Sequence, residues 1–397
     1  MNIGIVTTWF ERGAAYVSRQ FEEVLETKHN VKIYARGGEQ YAKGDKKWDR
    51  ENVTWGTRIK SPFVATVIKK SDFLKWLKSN KIELVIFNEQ HWFQPLLWCK
   101  QLNIKTIAYI DYYTEKTIPL FDIYDAVICN TKKHMQAFSG HKSACYIPWG
   151  TDVSTFVPKN TGLVNDDIVT FFHSAGLAGD RKGTDIFIKA LAKLKKSKFK
   201  AVIHTQKDLI PQFPELADTI QELTNNNKLT IITKTVTAPG LYHLGDVYVY
   251  PSRLEGIGLT IAESISCGLA CIVPDNGPMN EFVDDSYGKT ISIDRFYARA
   301  DGYYWPKCEC SINALADAME FYINNPETVV LQKNRSREYA VNHLSHKQNF
   351  NQILDLVEKT DFIQADAALI NRINAFDNWG LKRLQKYFLA FRLYKLI

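Results

Sequence analysis

Five short apolar runs, Ile3 to Thr7, Val31 to Tyr34, Leu84 to Phe87, Thr106 to Ile110 and Ala126 to Cys129, alternate with amphipathic stretches, and the alternation then starts again. The second set comprises Val169 to His173, Ala201 to His204, Leu229 to Ile232, Val247 to Tyr250 and Ala270 to Val273. Continuous apolar runs of this length read as strands buried on both faces. The stretches between them, such as Tyr16 to Glu26 and Ser71 to Lys78, carry helical periodicity. Strand and helix in alternation make a parallel α/β sheet. Two such sets in 397 residues predict two Rossmann-like doubly wound domains in tandem.

The boundary falls in Ile147-Pro-Trp-Gly-Thr-Asp-Val-Ser-Thr-Phe-Val-Pro158, which is rich in turn formers and leads into the polar Lys159 to Asp167. The expected division is residues 1–150, residues 151–345, and C-terminal helices over 346–397. Ligands of open α/β sheets bind beyond the carboxyl ends of the strands, so two facing sheets imply an interdomain cleft.

Composition narrows the function. No run of about 18 apolar residues occurs and Met1-Asn-Ile-Gly-Ile-Val6 opens directly as a strand, so neither a transmembrane helix nor a secretory signal is expected. A cytoplasmic protein follows. The seven cysteines are scattered through apolar segments, which suits reduced, buried thiols. Cys308-Glu-Cys310 lacks a second ligand pair nearby in sequence and is not expected to hold a metal. The net charge of +7 comes without a nucleic-acid-binding motif, which argues against a nucleic-acid partner.

The richest segment is Pro251-Ser-Arg-Leu-Glu-Gly-Ile-Gly-Leu-Thr-Ile-Ala-Glu263. Asp246-Val-Tyr-Val-Tyr250 before it reads as a strand, and Thr260 to Leu269 after it as a helix, so Glu255 leaves a strand and Glu263 enters a helix. Gly256 and Gly258 permit positive φ and close approach by a ligand. The helix start offers free N–H groups and a positive dipole end to an anion such as a diphosphate.

The pattern EGIGLTIAE followed by SISCGLACIVPDNGPMNEFV resembles the signature of retaining glycosyltransferases of the GT-B fold, in the family 4 group. The resemblance implies that Glu255 sits against the donor sugar and that Glu263 binds the ribose of a nucleotide-diphosphate-sugar. It implies further donor contacts at Gly256, Ile257, Gly258, Leu259 and Thr260, and a base-reading segment Lys234-Thr-Val-Thr237 that includes Val236. In Gly179-Asp-Arg-Lys-Gly-Thr-Asp185, Lys182 resembles the family lysine, while Leu177 stands where the family usually carries an arginine. Arg181 is the expected replacement. Cations there would stabilise charge on a departing nucleoside diphosphate.

In the first domain, Phe10-Glu-Arg-Gly-Ala-Ala15 resembles the family's glycine loop, with Gly13 as its key residue. The family's histidine position is Ile110, with Asp111 kept after it. Asp111 is therefore a catalytic-side candidate, with His91 and Asn130 as acceptor-side candidates at strand ends. A surface or structural role for His91 is the competing reading. No Asp-x-Asp occurs, so no cofactor and a metal-independent reaction are expected.

The segment Trp379 to Ile397 carries five basic residues and no acid, with Leu381, Leu384, Phe388 and Phe391 at helical spacing. Two readings fit it: an amphipathic helix on the anionic inner membrane, or a helix packed back on the first domain. The expected activity is transfer of a sugar to a hydroxyl of a glycan or lipid-linked saccharide in cell-surface polysaccharide synthesis. The alternative is a non-catalytic, nucleotide-sugar-binding partner of an active transferase.

Overall fold

The computed structural model describes residues 1–36, 42–59, 66–110, 112–165 and 167–378. Asp111 and the segment Trp379 to Ile397 lie outside the described residues. The chain divides into two units, one of Met1–Asn130, His134–Pro148 and the residues from Phe350 on, the other of Thr131–Lys133 and Trp149–Asn349.

The first unit is built on a parallel sheet of β1 (Asn2–Thr7), β2 (Asn30–Ala35), β3 (Val53–Trp55), β4 (Leu84–Asn88), β5 (Lys105–Tyr109), β6 (Ala126–Cys129) and β7 (Ala144–Tyr146), in the order β3-β2-β1-β4-β5-β6-β7. The second has β8 (Thr170–Gly176), β9 (Lys200–Thr205), β10 (Leu229–Thr233), β11 (Val247–Val249), β12 (Ala270–Pro274) and β13 (Gly288–Ile291), in the order β10-β9-β8-β11-β12-β13. Its pairings are parallel as well. Every residue of β4 and β12 is buried, as apolar strands covered on both faces must be. All ten expected strands are present.

In each sheet the chain runs outward, then returns beside its starting strand. The direction reverses between β1 and β4 in the first unit and between β8 and β11 in the second. A crevice opens at such a switch point beyond the strands' carboxyl ends.

Three features departed from expectation. β3 and β7 are three-residue edge strands, half-exposed and too short to show periodicity. The segment after β13 forms an antiparallel hairpin, β14 (Ile293–Tyr297) and β15 (Lys307–Cys310), where no strand was anticipated. The helix expected over Thr260 to Leu269 runs only Leu259–Ser266. Gly268 stops it at φ 74°, with its N–H bonded to the Ile265 carbonyl and that of Leu269 to the Ser264 carbonyl. That pair of bonds is a Schellman ending.

Residues 350–378 are stitched into the first unit. Phe350 packs edge-on against Phe21 of the helix Gly13–Leu25. Buried Asp125 accepts from Lys100 Nζ at 2.6 Å and from the Ile363 amide, and Lys100 also donates to the Ile363 carbonyl. In the second unit, Lys333 Nζ pairs with Asp246 at 2.9 Å and donates to Gly162 O, while Asp246 caps the amides of Val164 and Thr170. All seven cysteines are unpaired, and all but Cys145 are buried. Among the described residues no helix is long and apolar enough to cross a membrane.

Candidate active site

β8 and β11, the two strands flanking the second switch point, are followed by the loops that carry Lys182 and Glu255. The loops are zipped together by Arg253 N donating to Arg181 O at 2.8 Å and by Ser252 Oγ donating to the same carbonyl at 3.1 Å. Gly183 makes the approach close, since at φ 70° a Cβ there would lie 2.0 Å from the Pro251 carbonyl oxygen. Only glycine fits both the space and the backbone angle.

Glu255 is 9% exposed, and one of its oxygens takes every hydrogen bond it makes among the described residues. Oε1 accepts from Lys182 Nζ at 2.8 Å, Arg181 Nη1 at 2.9 Å, Tyr250 Oη at 2.8 Å and Ser252 Oγ at 2.7 Å. Lys182 Nζ also touches the Tyr250 hydroxyl. Burial alone would raise the carboxyl's pKa, but Lys182 and Arg181 outweigh it and hold the group at about 2. Glu255 is thus an ionised carboxylate whose Oε2 remains for a ligand.

Glu263 is pushed the other way. Its burial raises the pKa to about 7, against the lowering effects of the Tyr242 hydroxyl, which donates to Oε2 at 2.5 Å, and of Lys182. One carboxylate is fixed in its charged form and its neighbour titrates near neutrality, although both side chains are glutamates.

Two arginines of this region divide by how many of their donors are used. Arg253, buried, spends all five N–H donors. It forks onto Asp185 (2.7 and 2.9 Å) and Glu309 (2.7 and 2.9 Å) and reaches the Asp180 carbonyl. Arg181 bonds through Nη1 alone among the described contacts, to Leu254 O and Glu255, and its side chain is 37% exposed. Arg253 is therefore a structural clamp, and Arg181 is equipped to receive an anion. Leu177 is exposed and makes no polar side-chain contribution.

Behind the loops, His173 on β8 bridges Val249 O (Nδ1, 2.8 Å) and Thr184 Oγ1 (Nε2, 2.9 Å). Burial depresses its pKa to about 4, so Nδ1–H donates to the carbonyl and Nε2 accepts from the hydroxyl. The ring fixes the start of the helix Thr184–Lys193 against β11. Nothing in the local sequence marks this role, nor those of Tyr250, Ser252, Tyr242 and Arg253. Their contacts depend on which strands become neighbours.

The glycines behave differently from each other. Gly258 caps the helix Leu259–Ser266 at φ 92°, whereas Gly256 does not adopt positive φ and instead leaves open space where a Cβ would stand. Ile257, Leu259 and Thr260 are half-buried along the same turn, as is Val236 in the loop after β10.

In the first unit, Gly13 is the first residue of its helix. His91 lies after β4, beside the switch point, with its amide bonded to Thr66 Oγ1 at 2.9 Å and its ring 5.4 Å from that of Tyr112. Burial, and then the Arg36 charge, lower its pKa to about 4, so the imidazole is neutral. Asn130, after β6, is buried and donates to Ile147 O, while its Oδ1 has no partner among the described residues. Ile110 is buried. Among the described residues no three His, Cys, Asp or Glu side chains cluster in a metal-holding arrangement.

Residues 158–343 match the model of the glycosyl transferases group 1 family. No curated protein matches the chain. Among solved structures, a glycosyltransferase from Rickettsia africae superposes with a TM-score of 0.70 at 16% identity, over 90% of this chain and 98% of that one. A sucrose-phosphate synthase from Thermosynechococcus elongatus gives 0.68 at 15%, with the same coverage. HepE of Anabaena, in complex with UDP, gives 0.69 at 14%, over 90% of this chain and 99% of its own. With the loops of Lys182 and Glu255 inside the matched segment, residues 158–343 are a glycosyl transferases group 1 domain, set in a chain that has the GT-B fold.

Proposed function

We propose that this protein is a retaining glycosyltransferase that moves a hexosyl group from a nucleotide-diphosphate-sugar to a hydroxyl of a glycan or lipid-linked saccharide, in cell-surface polysaccharide synthesis. The carrying observation is Glu255, ionised, with Lys182 and Arg181 on one oxygen and the other left for a ligand. UDP as the nucleotide is supported by its presence in the structurally similar HepE.

In this reading, Glu255 Oε2 faces the donor sugar and stabilises positive charge developing at the anomeric carbon. The spare donors of Arg181 and Lys182 take the diphosphate, and their charge stabilises the leaving group, an effect often worth about 3 kcal/mol per donor. Two cations doing this work support a reaction that does not depend on a metal or other cofactor. Glu263 accepts from the ribose hydroxyls, the turn Gly256 to Thr260 lies along the donor, and Val236 edges the base. Gly13 and Asp111 serve the reacting sugar, and His91 and Asn130 the acceptor side.

The reading is tested by Glu255→Gln. Transfer is expected to fall at least 100-fold while UDP still stabilises the protein; a chain that binds without turnover has no transfer to lose. Thermal shifts with UDP, GDP, ADP and CMP assign the base, since a ligand at 100 times its Kd adds about 2.7 kcal/mol to the folded state. Lys182→Ala is expected to abolish that shift. The protein is proposed to be cytoplasmic and to touch the inner membrane through Trp379 to Ile397. Truncation after Asp377 is then expected to abolish liposome binding and leave a soluble, folded chain.

A further inference from the structure

The run Val247-Tyr-Val-Tyr250 alternates two kinds of side chain, and an extended chain turns alternate residues to opposite faces of its sheet. Val247 and Val249 join the apolar cluster that contains Phe187 and Leu191. Tyr248 and Tyr250 take the other face, where their rings stack at 5.3 Å with 21° between the planes. The His173 ring lies 6.5 Å from that of Tyr250. Tyr250 is fully buried, so its two side-chain torsions are held by packing.

A hydroxyl at the end of so buried a side chain needs partners. Tyr250 Oη has two: it accepts from Lys182 Nζ, and it donates its single proton to Glu255 Oε1 at 2.8 Å. The four donors on that oxygen differ in what else they can do. Lys182 and Arg181 are long cationic side chains from the loop after β8, and in the reading above they are shared with the diphosphate. Ser252 Oγ also reaches the Arg181 carbonyl. Among the described contacts the Tyr250 proton has no acceptor other than Glu255, and it is the one donor of the four carried on a packed ring.

A carboxylate exchanges its two oxygens by rotating about its last bond. Once a diphosphate draws on the two cations, resistance to that rotation falls to the donors that stay in place. We propose that Tyr250 is a positioning residue, whose hydroxyl pins Glu255 Oε1 and so keeps Oε2 turned to the donor sugar while Lys182 and Arg181 engage the departing diphosphate. Tyr250 acts through Glu255 and does not itself touch the sugar. This rests on the transferase reading above, and the experiment separates the two.

Release of UDP from UDP-glucose, UDP-galactose and UDP-N-acetylglucosamine by the full-length protein, with water as the acceptor, gives kcat and KM, and calorimetry gives the Kd of UDP. Tyr250→Phe keeps the ring and loses only the hydroxyl. Orientation of a reacting group acts on the chemical step, so the variant is expected to lower kcat about tenfold or more, with KM and the UDP Kd within about twofold of wild type. Its melting temperature should stay at the wild-type value. A kcat equal to that of the wild type overturns the positioning role and leaves the transferase standing. So does a loss of kcat accompanied in step by weaker UDP binding and a lower melting temperature, which is the signature of a ring that merely supports the fold. No UDP release from any of the three sugars by the wild type removes the transferase reading for UDP donors, and the role of Tyr250 with it.

Discussion

Glu255 and Glu263 are the same amino acid within one loop-helix segment, and their surroundings drive them apart by about five pH units, from about 2 to about 7. Glu255, depressed, contributes stability that is present above its ordinary value of 4.5 and is lost as pH falls through about 2. Glu263, raised, contributes stability that is present below 4.5 and lost as pH rises through about 7. In the proposed role of Glu263 as a ribose acceptor the functional sign is opposite, because hydroxyls donate best to a carboxylate that has already lost its proton. Affinity for a UDP-sugar is therefore expected to weaken as pH drops below about 7, approaching tenfold per unit. Calorimetry across pH 5.5 to 8.5 measures this, and Glu263→Gln should flatten the profile; a wild-type profile that is already flat would show that Glu263 does not meet the nucleotide.

At the scale of elements, the architecture around Glu255 depends on how closely two loops approach. Gly183→Ala puts a methyl group onto the Pro251 carbonyl and strains a positive φ. Strain of this backbone type alone costs about 1–3 kcal/mol, so a loss of at least 2 kcal/mol is expected in urea titration. Gly256→Ala meets open space and should be near neutral in stability, any effect appearing in UDP binding instead. This pair also shows what the sequence can and cannot reveal. The ten strands were legible because apolar runs buried on both faces leave a dense local signal, and motif spacing singled out Glu255, Glu263 and Lys182 as candidates, of which the structure brings Lys182 and Glu255 into contact. The two glycines of Gly-Ile-Gly looked alike and are not, because φ is decided by the turn each residue completes. The four donors on Glu255 could not be assembled beforehand, since they come from the residue that follows β11, from its own loop and from the loop after β8. The hairpin was missed because its strands are short and charged residues interrupt their apolar pattern.

At the scale of the whole molecule, the second unit is one nearly continuous stretch, Trp149–Asn349, while the first is interrupted by it. The fragment 149–349 is accordingly expected to express as a cooperatively melting domain that UDP stabilises, and the fragment 1–148 to lack a cooperative transition. Circular dichroism melts of both decide the matter. The reason lies in the late stitches: without residues 350–378, Asp125 and Lys100 lose the Ile363 backbone groups and Phe21 loses Phe350. Breaking up a buried charged cluster of this kind typically costs several kcal/mol.

The Asp125–Lys100–Ile363 stitch also orders events on the ribosome. Strands β1 to β7 leave the exit tunnel first, yet the half of the protein they form stays unfinished until more than two hundred further residues have been made. The half synthesised later can close first. During that interval the earlier half lacks the helices Asn351–Lys359 and Ala367–Asp377, so the vulnerable stage in the life of this chain is the nascent one, and chaperone demand should track translation speed through the intervening domain.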